Sequence, residues 1–144
     1  MGTNKCKLSK KSLNAMTLIE LLVVMVLVSL LALLAYPNYQ QQLRSAHRTT
    51  AISDLIKLQL ELEYRDNQGD EWENLIVEGR CQICRSKPEH FRFEIHNDSD
   101  ANYLIKAIAQ EQSQQTLDNC LVANNSDYLS IDARNQEFPK DCWQ

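Results

Sequence analysis

Between Leu21 and Tyr36 the chain carries no charge, and Ser29 is the one clearly polar residue there. Counted from Met16 the run has 21 residues. As a helix that length spans about 30 Å, the thickness of the hydrocarbon layer of a bilayer. Lys5, Lys7, Lys10 and Lys11 precede it and are the only charges before Glu20. The positive-inside rule therefore places the N-terminus in the cytoplasm and the remainder of the chain outside. Glu20 is the misfit, a carboxylate at the front of a membrane-like run. A charge in hydrocarbon is costly unless it is paired, and a pair with a fixed cation has directional value. An ordinary single-span anchor has no use for such a residue. A secretory signal would be shorter, and Leu33-Leu34-Ala35 lacks a small residue two before the alanine. The plainer alternative is a glutamate that snorkels to the interface from near one end of the span.

Beyond the apolar run the chain has room for one modest domain. About ninety residues remain, and a core of that size is marginal without covalent support. All nineteen acids lie from Glu20 onward, against eleven Lys and Arg, so the chain without its lysine-rich leader carries a net −8. A whole domain that acidic is a poor nonspecific binder of DNA. Past the same run stand Cys81, Cys84, Cys120 and Cys142, an even set with three connectivities that suggests an oxidising compartment. Collagen-like or linker-rich organisation is excluded, because Gly and Pro number three each.

The periodicity changes character without breaking. Ala51, Leu55, Leu58 and Leu62 recur at helical steps with Ile52 and Gln59 alongside, and Arg48, Asp54, Lys57, Glu61 and Arg65 are assigned to the wet side. One long helix is expected from Met16 to about Tyr64, bent near Pro37, with Asn67-Gln68-Gly69 as a stop. Beyond Gly69, Phe91, Phe93 and Ile95 alternate with Arg92, Glu94 and His96 as a half-buried strand. Strands are also expected in Asn102–Gln110 and Asp127–Asp132, with a turn at Asp132–Asn135 into a last short strand, all pairing antiparallel.

The stretch from Asn14 to Gln40, NAMTLIELLVVMVLVSLLALLAYPNYQ, resembles the N-terminus of type IV pilins and pseudopilins. The resemblance implies a basic leader that ends at Ala15, where glycine is usual, and a cut by prepilin peptidase that makes Met16 the new, N-methylated terminus. Met16 stands where phenylalanine is commonest. Glu20 aligns with the family glutamate that faces the amine of a neighbouring subunit, and Pro37 with a helix-bending proline. The implied fold is α+β, a long N-terminal helix packed on a small antiparallel sheet. The implied organisation is a leader over 1–15, a transmembrane and filament-core segment over 16–36, an amphipathic half-helix over 37–68 and a globular head over 69–144. The tail Asp141-Cys142-Trp143 is similar to that of minor pilins, and the resemblance transfers a C-terminal disulfide onto Cys120 and Cys142. Such a bridge closes about twenty residues, for a chain-entropy gain of roughly 3 kcal/mol. Pseudopilins of type II secretion usually lack it. The stretch from about Gly69 to Pro88 matches no motif.

Cys81-Gln82-Ile83-Cys84 has three readings. It is a local structural disulfide, a redox dithiol with its thiol pKa lowered by Arg80 and Arg85, or half of a zinc site with His90 and His96. The lack of a thioredoxin-like βαβ context and the six-residue histidine spacing favour the first. Arg80, Arg85, Lys87 and Arg92, with His90, form a basic patch relieved only by Glu89. Some pilins of DNA-uptake systems bind DNA through such patches. The plainer reading is a solvated loop that balances Asp70, Glu71, Glu73 and Glu78, with no aromatic beyond Phe91 to stack bases. No Gly-x-Ser-x-Gly, phosphate loop or His-Glu-x-x-His occurs, so neither an enzyme nor a cofactor is expected. The expectation is a minor type IV pilin, held first by a single span in the bacterial inner membrane and then moved through the periplasm into a surface pilus. Its partners would be prepilin peptidase/N-methyltransferase, other pilin subunits and the inner-membrane assembly machinery. The alternatives are a single-span periplasmic redox or metal-binding module and a DNA-binding competence pilin.

Overall fold

The computed structural model describes residues 16–68, 74–98 and 102–144. The lysine-rich leader with Ala15, the stop glycine Gly69, and the acids Asp70, Glu71 and Glu73 lie outside the described residues. The chain divides into two compact units, residues 1–37 and 38–144, and a single helix, α1 (Leu18–Gln68), supplies residues to both.

The first unit is the start of α1. Thr17 and Glu20 form a capping box. The Thr17 N–H donates to Glu20 Oε2 at 2.8 Å, and the Glu20 N–H donates back to Thr17 Oγ1 at 3.3 Å, so two otherwise orphaned backbone donors are satisfied. From Met16 to Tyr36 every side chain is exposed. Ser29, the polar exception, donates its hydroxyl to the Val26 carbonyl at 2.8 Å, so no polar group of its side chain is left open in the apolar stretch. Pro37 lies inside the helix, where its ring removes one backbone donor.

The second unit is the head. Ala51, Leu55, Leu58 and Leu62 of α1 are buried and join Phe91, Phe93, Ile105, Ala107, Leu129 and Ile131 in one core. Two residues assigned to the wet side are not there. Asp54 is 3% exposed, and the Arg48 side chain is 13% exposed. Each lies three residues from Ala51, which is a helical step, so each falls on the buried stripe. Both are admitted because their charges are met, Asp54 by backbone N–H groups and Arg48 by a carboxylate. α1 also runs past Tyr64 to Gln68.

The main sheet is antiparallel in the order β3 (Phe91–Asp98), β4 (Asn102–Ala109), β5 (Tyr128–Asp132), β6 (Glu137–Phe138). Its register sets large against small on the core face, with Phe91 opposite Ala109 and Phe93 opposite Ala107. Ala107 in turn meets Leu129, whereas in the next inward row Ile105 meets Ile131. This alternation fills the layer without crowding it. A second, two-stranded sheet, β1 (Ile76–Val77) with β2 (Arg80–Cys81), was not anticipated. Glu78 and Gly79 turn it with φ of 52° and 77°, the pattern of a tight hairpin. Strands of two residues are too short to show a period. Between β4 and β5 run two single 3₁₀ turns and α2 (Asn119–Ala123), capped by Asp118, which accepts from the Cys120 and Leu121 N–H groups.

Two disulfides staple this head, Cys81–Cys84 and Cys120–Cys142, with sequence separations of 3 and 22. The longer loop carries the larger chain-entropy term. Replacing Cys120 and Cys142 together by Ala is expected to cost about 3 kcal/mol, and replacing Cys81 and Cys84 about half as much. Urea unfolding of the full chain in neutral detergent, followed at the head, measures both. Equal losses would mean that loop entropy does not set the ranking.

Candidate functional site

Two places carry chemistry. The first is the start of α1. Glu20 Oε2 accepts from both the N–H and the hydroxyl of Thr17, at 2.8 and 2.9 Å, so the carboxylate is not bare within a single subunit. Met16, Ile19, Val23 and Val24 surround it in a shallow apolar recess. The arrangement presents an acid with one oxygen engaged locally and Met16 one turn away.

The second place is the irregular segment between β2 and β3. Asp54 of α1 reaches under it and accepts from the Arg85 N–H at 3.0 Å and from the Ser86 N–H at 2.7 Å. Lys57, one turn along α1, donates its ammonium to the Ile83 carbonyl. The chain then turns through Lys87, whose carbonyl accepts the His90 N–H at 2.9 Å. His90 is thereby brought onto His47 of α1, and the two imidazoles stack with centroids 3.8 Å apart and planes 17° from parallel. Together with Thr50, Arg85, Ser86 and Lys87 they line a cleft of about 160 Å³. Ser86 Oγ and His90 Nδ1 are buried polar atoms with no partner within the protein. Burial pushes the His90 imidazole below its ordinary 6.5; His47 and Lys87 push the same way and Glu89 opposes them.

The four cations of the predicted basic patch are separated by the fold into two pairs. Arg85 and Lys87 line the cleft. Arg80 and Arg92 stand instead at the β1–β2 hairpin, where the Arg92 side chain lies across Gly79, whose carbonyl accepts the Phe93 N–H at 3.0 Å. A Cβ at position 79 would meet Arg92 Cγ at 2.5 Å, so the glycine serves the arginine as well as the turn. The zinc set is not assembled. Cys81 and Cys84 are bonded to each other, His90 is on His47, and His96 faces Glu94 at 3.2 Å. Among the described residues no group of three or more His, Cys, Asp or Glu is placed to hold a metal ion.

Sequence reading missed His47, Thr50, Asp54 and Arg48. For His47, Arg48 and Asp54 the signal was present, because they sit three or four residues from Ala51 and so on the inward stripe, whereas Thr50, next to Ala51, has no such spacing. Arg48 pairs with the fully buried Asp118, which ties α1 to the cap of α2. On the far side Tyr103 donates its hydroxyl to Glu63 at 3.2 Å, and burial, with Glu63, pushes its phenol up to about 12.

A family model described as type IV minor pilin ComP, DNA uptake sequence receptor, matches residues 37–124, well over half of the chain. The chain belongs to this minor pilin family. A second model, described as the prokaryotic N-terminal methylation motif, matches residues 11–36. No curated protein and no solved structure matches the chain. This minor pilin is thus anchored in the inner membrane by its apolar helix before it is assembled into the pilus. Pilin families are structural subunits, and the two matches imply other pilins and prepilin peptidase as partners.

In this minor pilin the basic turn depends on the Asp54 carboxylate. Asp54→Ala leaves two partly buried N–H groups without their acceptor and is expected to cost about 1–3 kcal/mol, whereas Asp54→Asn keeps one acceptor oxygen and should cost less than half of that. Amide exchange at Arg85 and Ser86 should accelerate in the same order. Unchanged exchange in Asp54→Ala would show that the carboxylate does not hold the turn.

Proposed function

We propose that this minor pilin is an assembled pilus subunit whose head binds double-stranded DNA. In this reading the leader, residues 1–15, is cut between Ala15 and Met16, and Met16 becomes the methylated terminus. Glu20 exchanges its contact with Thr17 for the amine of a neighbouring subunit, which offsets the cost of a carboxylate in an apolar layer. Residues 16–36 form the filament core, and Pro37 is where the helix bends. Residues 37–68 carry the head of 69–144 outward, with the inner-membrane assembly machinery as the partner that inserts the subunit.

The observation that carries the DNA reading is a coincidence of family and charge. The family whose description names a DNA uptake sequence receptor matches 37–124, and within that span Arg80, Arg85, Lys87 and Arg92 stand against a single acid, Glu89, over 80–92. With a net −8 on the chain from Met16 onward, attraction to phosphate has to come from this local surface rather than from total charge. The two cation pairs, at the hairpin and at the cleft, offer two separate phosphate contacts.

Fluorescence anisotropy of the full-length mature protein in neutral detergent, titrated onto a labelled duplex at several salt concentrations, tests this. Binding should weaken as salt rises, and Arg85→Gln with Lys87→Gln should shallow the log–log salt slope by up to about 2. Absent binding, or an unchanged slope in the double variant, would contradict the assignment of DNA to this face.

A further inference from the structure

The cleft of His47, Thr50, Arg85, Ser86, Lys87 and His90 has features that a solvated basic loop does not need. It is a formed recess of about 160 Å³ between α1 and the turn. Two imidazoles are stacked in its wall at 3.8 Å, although His47 makes His90 harder to charge. Ser86 Oγ and His90 Nδ1 are buried without partners, which costs free energy unless something meets them. Arg85 and Lys87 add fixed positive charge, and Glu89 lies beside the cleft, with Oε1 at 3.5 Å from Lys87 Nζ and 3.6 Å from His90 Nε2. Asp54 is already engaged by the backbone of Arg85 and Ser86, so it fixes the floor of the turn.

We propose that this cleft is a phosphate pocket that seats one phosphodiester of a DNA strand, with His90, stacked on His47, as its pH-dependent charge. The proposal rests on the DNA-binding reading for the source of the phosphate, while the pocket itself stands on its own geometry. A diester has constant charge between pH 5 and 8, so any pH dependence of its binding comes from the protein. In the unliganded head, burial favours neutral His90. That contribution to stability is fully present above the ordinary 6.5 and is lost as pH falls through the depressed value. An anion in the cleft reverses the preference, since a nearby negative charge favours imidazolium. Binding therefore takes up a proton from solvent, and affinity rises as pH falls through the histidine range. Glu89 competes for the same cations, so its displacement towards solvent accompanies occupation.

Histidine-selective NMR of the full-length mature protein in neutral detergent, from pH 5 to 8, tests the pocket. The protein is titrated alone, with a short DNA duplex, with dimethyl phosphate and with inorganic phosphate. His96, beside Glu94 on β3, serves as an internal reference. Occupation should move the His47 and His90 imidazole signals and not that of His96, and raise the His90 midpoint by about one pH unit. That shift corresponds to about tenfold tighter binding to the charged form. A duplex that binds without moving His47 or His90 overturns the pocket and leaves the DNA reading standing. Signals moved by dimethyl phosphate or inorganic phosphate, but with no duplex binding, uphold the pocket as a site for a small phosphate and remove DNA as its source. Signals moved by none of the probes overturn the pocket outright. Lys87→Gln, at an exposed position, should weaken the response without disturbing the stack.

Discussion

Two buried carboxylates hold the irregular parts of the head to its helix. Asp54 and Asp118 are almost wholly removed from water, at 3% and 0% exposed. Neither is tolerable alone, because an unpaired buried charge costs several kcal/mol. Asp54 is met by the backbone N–H groups of Arg85 and Ser86, and Asp118 by Arg48 and by the N–H groups that open α2. The sheet has its own hydrophobic reason to sit where it does, in Phe91, Phe93, Ile105 and Leu129. The turn from Arg85 to His90 has no comparable apolar anchor, since Arg85, Lys87, Pro88 and Glu89 are all exposed. Its conformation, and with it the placing of two cations and a histidine, depends on polar contacts from α1, with Asp54 on the Arg85 and Ser86 N–H groups and His47 on the His90 ring.

A second economy operates at the start of the same helix. The Thr17–Glu20 capping box satisfies two backbone donors and gives the carboxylate a partner within its own subunit. An acid that reads as unexplained in an apolar run therefore has two uses, a local one that starts the helix and a lateral one that is proposed for the filament. Both require the same residue three positions after a threonine. Substituting glutamine keeps the cap and removes the charge, which separates the uses in principle.

Much of the architecture was legible because its periods are long. The apolar run, the steps Ala51, Leu55, Leu58 and Leu62, and the alternation in β3 are each several repeats long, and all appear where the pattern puts them. The features that escaped are short or polar. The β1–β2 hairpin has two residues per strand, below any periodic signal, although Glu78-Gly79 is a plausible turn pair. Arg48 and Asp54 were placed on the wrong face because charge was taken to imply water, when their spacing from Ala51 already put them inside. The cleft was invisible for the same reason. His47 and His90 are 43 positions apart in sequence and meet where Asp54 holds the turn to α1 and Phe91, next to His90, enters the core.

Together with the two family matches these features support the proposal of a subunit that is processed at its N-terminus before its helix enters the pilus. The most direct test is intact mass together with N-terminal peptide mass spectrometry on the protein recovered from membranes. A chain that begins at Met16 with a methylated amine is the predicted result. An uncut N-terminus would leave only a membrane anchor, and a chain that begins after about Ala35 would be an exported soluble domain. Either result would contradict assembly through Glu20.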